Sequence, residues 1–312
     1  MHDRPVPTLG GLAIAAAVLG VVWIARWLPG YAQTLEPRPL WGLTYAALVI
    51  LGLGVVDDLK RLSPWIKLSG QVLAALVLAS FGFGIPFVTN PFGGQFATGF
   101  MDGPLTVLWV LGVMNAINLI DGLDGLASGV VLIASLTLWY VGRAHGDFYV
   151  MFFASPAIGA TLGFLRFNFP PARVFMGDTG SQFLGLLLAA MSLLENRKGT
   201  ATITLLFPLV AMGLPIADGL LAVTRRATHG HPVFRGDSEH IHHRLLRLGL
   251  SPRRTLLILW CLSAALGITA ALVAALPHAY GWLFLLLLGF GLVFAFEVID
   301  FIDRTRGARP PA

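Results

Sequence analysis

Charge is what this chain of 312 residues has least of: charged side chains make up 12%, against 56% hydrophobic residues and a mean hydropathy of +0.77. A soluble globule carries roughly 25–35% charged residues on its surface. That class is excluded, and a polytopic membrane protein remains. Cysteine is almost missing too. Cys261 is the only one and lies in an apolar run, which excludes an internal disulfide and a cysteine metal site and leaves it as a small hydrophobe. There is no internal repeat, no low-complexity stretch and no soluble domain, the longest polar segment being Arg225 to Arg254. A single transmembrane domain over 1–312 is expected. A cleavable signal peptide is not, because the first apolar run begins only eight residues in, lacks a small-residue cleavage site and is long enough to span. The pI near 9.8 invites a nucleic-acid partner, but the positive charge lies in short loops between apolar runs, where it reports topology. No nucleic-acid partner is expected.

What is present is a series of apolar windows at 9–28, 39–56, 67–87, 104–120, 125–143, 148–165, 179–195, 200–224, 255–276 and 280–299, each near the ~20 residues that a bilayer requires. They predict an all-α fold of about ten transmembrane helices. Pro208, Gly213, Pro215 and Asp218 make the eighth a broken or kinked span. With residue 1 in the cytoplasm, sixteen of the 21 Lys and Arg residues fall on the cytoplasmic side and five opposite, as the positive-inside rule demands. The same topology brings Asp57, Asp58, Asn118, Asp121, Asp124, Asp178, His240, His242 and His243 to the cytoplasmic face. Four separated loops, near 57–67, 115–125, 166–181 and 225–254, therefore converge there.

The run Asn115-Ala-Ile-Asn118-Leu-Ile-Asp121-Gly-Leu-Asp124-Gly ends an apolar helix. An Asp near the centre of a spanning helix costs about 2.5–3.5 kcal/mol on the insertion scale, so the cluster belongs at the interface or in a wet cavity. A plain polar turn is the alternative. Asp57-Asp58 closes the second apolar run ahead of Lys60, Arg61 and Lys67. Adjacent carboxylates at a helix end point about 100° apart, so one can face a metal or nucleophile and the other a basic partner; a solvated stop-transfer cap is the alternative. Asp178 is flanked by Gly177 and Gly180 at the start of a span. It is a natural Mg²⁺ ligand, and the glycines would let a diphosphate approach the helix N-terminal N–H groups, unless Asp178 merely caps the helix. His240-Ile-His242-His243-Arg244 lacks the i, i+4 spacing of a zinc helix and suits phosphate better, or else anionic lipid heads. A transporter would predict inverted repeats and charges at the bilayer midplane. Neither is present.

In this order, Asp57-Asp58, Asn-x-x-Asn-x-x-Asp-Gly-x-Asp-Gly, Phe175-Met-Gly-Asp178-x-Gly-Ser and His-Ile-His-His-Arg-Leu resemble the polyprenyl-phosphate N-acetylhexosamine-1-phosphate transferases over nearly the whole chain. The His-rich loop is similar to that of the bacterial undecaprenyl-phosphate GlcNAc-1-phosphate branch. The resemblance implies a multi-pass enzyme of the bacterial inner membrane with a cytoplasmic active site. It would move N-acetylglucosamine 1-phosphate, or a close N-acetylhexosamine 1-phosphate, from the UDP-sugar to undecaprenyl phosphate with release of UMP. That is the first membrane step of a cell-envelope glycan pathway. Mg²⁺ is the implied cofactor, with Mn²⁺ as a substitute, and a homodimer is open. Phospho-MurNAc-pentapeptide transfer is the alternative within the family.

Residue by residue, the resemblance implies that Asp178 and Asn118 hold Mg²⁺ and that Asp57 and Asp58 act near the lipid phosphate. Lys67 and Arg244 would meet the diphosphate, Phe175 would stack on uracil and Asp124 would contact its edge. Asp121, His240, His242 and His243 would complete the substrate site. Two departures stand out. Position 61 is Arg61, so a DDxxD pattern fails. The family usually has eleven helices, and His2 to Gly11 resembles the loop after its first; a misplaced start is the favoured explanation, since loss of a packed helix would expose its neighbours.

Overall fold

The computed structural model describes residues 6–31, 33–89, 95–195 and 241–275, with the single positions 213 and 289. Among these, α1 (Gly10–Arg26), α2 (Pro37–Lys60) and α3 (Pro64–Ser80) precede a two-stranded hairpin, β1 (Phe87–Thr89) and β2 (Gln95–Ala97). A 3₁₀ turn at Gly99–Met101 leads into α4 (Asp102–Ile120), followed by α5 (Leu126–Ala144), α6 (Phe148–Asn168) and α7 (Gly177–Glu195). After the undescribed stretch come α8 (Ile241–Arg247) and α9 (Pro252–Ala275). Five of the described helical stretches are long and apolar enough to cross a membrane: Pro37–Lys60, Gly99–Ile120, Leu126–Ala144, Phe148–Asn168 and Pro252–Leu272. α1 and α3 are shorter apolar helices of 17 residues. The windows at 200–224 and 280–299 lie outside the described residues, apart from Gly213 and Gly289.

Local chemistry sets the helix ends. Pro37 and Pro64 open α2 and α3, where a missing N–H costs nothing. Asp147 caps α6 by accepting from the N–H groups of Tyr149 and Val150. Asp102 accepts from Ile85 N–H at 2.6 Å and Thr106 Oγ at 3.1 Å, tying the hairpin to the start of α4. No strand is expected from the sequence, yet the window drawn to residue 87 ends as helix at Ser80. Gly82 turns the chain at φ +89° and Pro86 precedes β1, which pairs antiparallel with β2 in the register Phe87–Ala97.

α7 is the central helix, buried from Thr179 through Leu194, with α1, α2, α4, α5 and α6 packed around it. Small residues let backbones approach closely at three of these crossings. A Cβ on Gly11 would strike the Gly180 backbone, one on Gly54 the Thr179 backbone, and one on Gly185 the Met114 backbone. α9 packs on α5, with Trp260 lying over Gly129.

Candidate active site

At one end of this bundle meet the last turn of α2, the first turn of α3, the last turn of α4, the 121–125 loop, the 169–176 loop and the first turn of α7. α2 stops because Arg61 takes the left-handed conformation at φ 51° while its N–H returns to the Asp57 carbonyl. That turn swings Leu62 back, and its N–H donates to Asp57 Oδ1 at 2.6 Å. Asp57 is only 5% exposed, and its second oxygen pairs with the Lys67 ammonium from α3. Lys67 also pairs with Asp178 of α7. One ammonium thus joins two carboxylates that come from helices far apart in sequence.

Asn118, in the last turn of α4, donates from Nδ2 to Asp178 Oδ1 at 3.0 Å and to Ser181 Oγ at 2.9 Å. One turn earlier, Asn115 donates to Gln71 Oε1 at 2.9 Å and ties α4 to α3. Asp58 points elsewhere than Asp57. Its Oδ1 accepts from Asp178 N–H at 2.8 Å, and its Oδ2 accepts from Thr179 N–H at 3.2 Å and Thr179 Oγ1 at 2.6 Å. The first N–H groups of α7 are therefore bonded by a carboxylate of α2. Two of the donors that a diphosphate would meet at that helix N-terminus, the N–H groups of Asp178 and Thr179, already have this acceptor.

Asp121 sits half-buried just beyond α4. Burial, and after it the charges of Asp178, Asp58 and Asp124, push its carboxyl well above the usual carboxylate range. Asp124 Oδ2 accepts from Ala172 N–H at 2.9 Å, joining the 121–125 loop to the 169–176 loop. Phe175 is half-buried and held by its backbone, with its N–H donating to the Pro7 carbonyl and its carbonyl accepting from Gly10 N–H. His243 and Arg244 lie on α8, which packs against α9. His240 and the side chain of His242 lie outside the described residues.

One important residue has no place in the sequence reading. Asn168, the last residue of α6 and only 3% exposed, accepts through Oδ1 from Gly125 N–H and Ser128 Oγ, each at 3.0 Å, and donates to the Val174 carbonyl at 2.9 Å. It staples the two loops that carry Asp121, Asp124 and Phe175. Its signal in the sequence is an amide at the end of an apolar helix, directly before Phe169-Pro170-Pro171. Arg253 of α9 adds a second tie, donating from Nε to the Pro170 carbonyl at 3.1 Å.

The donor set fits a hard divalent cation. No group of three or more His, Cys, Asp or Glu suited to a metal occurs among the described residues. Mg²⁺, however, takes one or two carboxylates and fills its shell with water and phosphate oxygens. Asp57 and Asp178 already converge on one positive charge, with the Asn118 carboxamide beside them. This cradle lies at one end of a bundle that contains helices long and apolar enough to cross a membrane.

Residues 40–196 match the sequence profile described as glycosyl transferase family 4. The chain is 37% identical to the "Probable undecaprenyl-phosphate N-acetylglucosaminyl 1-phosphate transferase" of Bacillus subtilis (strain 168), over 94% of its own length and 80% of that protein's. It is 36% identical to the decaprenyl-phosphate N-acetylglucosaminephosphotransferase of Mycobacterium tuberculosis (strain ATCC 25618 / H37Rv), over 83% of this chain and 70% of that one. A phospho-N-acetylmuramoyl-pentapeptide-transferase of Lactobacillus gasseri is 32% identical over 81% of this chain and 80% of that protein. The chain belongs to glycosyl transferase family 4.

Proposed function

We propose that this protein transfers N-acetylglucosamine 1-phosphate, or a close N-acetylhexosamine 1-phosphate, from its UDP-sugar to undecaprenyl phosphate, releasing UMP. An oxygen of the lipid phosphate bonds to the sugar-bearing phosphorus, the bond between the two phosphates of the donor breaks, and UMP leaves with the other phosphate. The observation that carries the reading is the Asp57–Lys67–Asp178–Asn118 cluster, drawn from four helices, in a chain 37% identical to a relative named for this reaction. The lower identity of the pentapeptide transferase, 32%, and the His-Ile-His-His-Arg-Leu loop favour the N-acetylglucosamine donor.

The described site sets Asp57 and Asp178 on one lysine, with Asp58, Asp121 and Asp124 on the adjoining turns, whereas both substrates are anions. Extra positive charge is needed. Asp178 and Asn118 would hold Mg²⁺, with Asp57 adjacent, and the ion would supply charge neutralisation at the diphosphate oxygens. Lys67 moves its charge toward the same diphosphate, and Arg244 with the histidines of the 240–244 segment would add to that charge. Phe175 stacks on uracil, and Asp124, held by Ala172, fixes the loop at its edge. A phosphomonoester has its second pKa near 6, so at pH 7 roughly nine-tenths of the lipid phosphate is already the dianion. Asp57 therefore gains little as a base; it orients Lys67 and the attacking phosphate.

The proposed enzyme has ten spans in the bacterial inner membrane, the site on the cytoplasmic side and one catalytic domain over 1–312, and a homodimer is open. The excess of Lys and Arg in the loops of that side supports the orientation. The test is purified protein incubated with undecaprenyl phosphate, Mg²⁺ and a panel of UDP-sugars, with UMP release as the readout. UMP release is expected from UDP-N-acetylglucosamine. Release only from the UDP-MurNAc-pentapeptide would transfer the chain to the other branch, and release from none would overturn the reading.

A further inference from the structure

Asp57 and Asp58 are neighbours with opposite surroundings. Asp57 faces the Lys67 ammonium, whereas both oxygens of Asp58 accept from the first turn of α7: Asp178 N–H, Thr179 N–H and the Thr179 hydroxyl. Gly54, one turn earlier on the same face of α2, lacks the Cβ that would strike the Thr179 backbone. Gly177, at φ +67°, lies under the Asp58 carboxylate, where any Cβ would collide with it. Gly54 and Gly177 thus make room for one contact, a side chain of α2 capping a different helix.

A cap that a residue supplies to its own helix can follow that helix when it shifts. A cap supplied from α2 instead fixes α7 relative to α2, and with it the residue whose N–H it holds. That residue is Asp178, whose side chain meets Lys67 and Asn118. A carboxylate at a helix N-terminus is also favoured by the helix dipole. In place there, it disfavours the approach of a second anion to the same donors.

We infer that Asp58 is a positioning residue: it acts through the α7 backbone to set where the Asp178 carboxylate stands, and it does not touch the reacting phosphates. This rests on the proposed phosphosugar transfer. Within that reading it divides the adjacent acids, with Asp57 at the reacting groups and Asp58 behind them.

The test pairs Asp58→Asn with Thr179→Val, which removes the buried hydroxyl on Asp58 while keeping side-chain shape. Each variant, and the double, is compared with wild type for UMP release across Mg²⁺ concentrations, for its pH–rate profile and for unfolding temperature in detergent. Both single variants are expected to raise the half-saturating Mg²⁺ concentration and to lower activity, Asp58→Asn by tenfold or more and Thr179→Val by less. The double should be no worse than Asp58→Asn alone within about twofold, and all pH profiles should keep the wild-type shape. Loss of the acid limb in Asp58→Asn would make Asp58 a proton-transfer group and overturn the inference. So would a lowered unfolding temperature with a wild-type Mg²⁺ requirement, which would reduce the contact to stability alone. If wild-type protein releases UMP from no donor, the functional reading fails first. The unfolding temperatures then still test the cap, since independent losses in the two single variants would remove it.

Discussion

Replacing Asn168 with Ala tests whether the site depends on a residue that touches no substrate. The side chain is buried and makes three hydrogen bonds to two loops. Its removal strands the Gly125 N–H and the Val174 carbonyl. Ser128 keeps a second acceptor, the Gly125 carbonyl at 3.3 Å. A buried polar group left without its partner costs about 1–3 kcal/mol, so the two stranded groups together come to about 2–6 kcal/mol. If about half of that appears as disorder of the loops bearing Asp121, Asp124 and Phe175, turnover falls about tenfold to a hundredfold. The assay is kcat/KM for the UDP-sugar by UMP release, alongside the unfolding temperature in detergent. Ser128→Ala is the matched control and should cost no more than about threefold, since only one weak net hydrogen bond is lost. An Asn168→Ala protein within threefold of wild type in kcat/KM would refute the coupling between staple and site. A lower unfolding temperature with intact turnover would confine Asn168 to folding.

Four other outcomes follow from the same geometry. Lys67→Met leaves Asp57 and Asp178 facing each other without their shared ammonium, and UMP release should fall at least about a hundredfold, with Lys67→Arg failing to restore it because a planar fork cannot sit as a point charge between two carboxylates. Asp178→Asn and Asn118→Ala should each raise the Mg²⁺ needed for half-maximal activity while the protein still inserts and purifies; an unchanged requirement in both would remove them as ligands. Asp57→Asn should lose ~10³ in rate, about 4 kcal/mol, at pH 7 and keep that loss at pH 8.5; recovery at the higher pH would identify a simple base instead. Arg253→Ala should reduce turnover several-fold by freeing the Pro170 carbonyl, whereas Arg254, exposed like Arg253 but not bonded to that carbonyl, should tolerate the same change; equal effects would make both a membrane-surface charge.

The spans were legible because a bilayer demands long apolar runs and this chain supplies them with few interruptions. The windows at 39–56, 104–120, 125–143, 148–165 and 255–276 fall within or nearly within helices that can cross a membrane. The hairpin was not legible. Three-residue strands carry too few side chains for a period to show, and the Ile85–Asp102 hydrogen bond that ties them to α4 acts across seventeen residues. Nor did hydropathy reveal that α7 is encircled, since a lipid-facing helix and a protein-buried one are equally apolar. The clue lay in Gly11, Gly54 and Gly185, which mean little until the helices they admit are known.

At the site, residue type pointed to one end of the bundle but did not separate partners. Asp57 and Asp58 are chemically identical and adjacent, and only the ~100° step between consecutive helical residues distinguishes them. That step turns Asp57 toward Lys67, seven residues beyond the end of α2, and Asp58 toward a helix that begins at Gly177. Neither partner is identifiable from neighbours in sequence. Asn168 escaped for a different reason. Unlike Asn115 and Asn118, which stand in a run with two carboxylates, Asn168 is a lone carboxamide between aromatic residues, although its donor and acceptor can bond two loops at once. The same property suits it to the task. A carboxylate in that place would meet the Val174 carbonyl acceptor to acceptor, and a lysine could not accept from Gly125 and Ser128; only an amide satisfies all three partners.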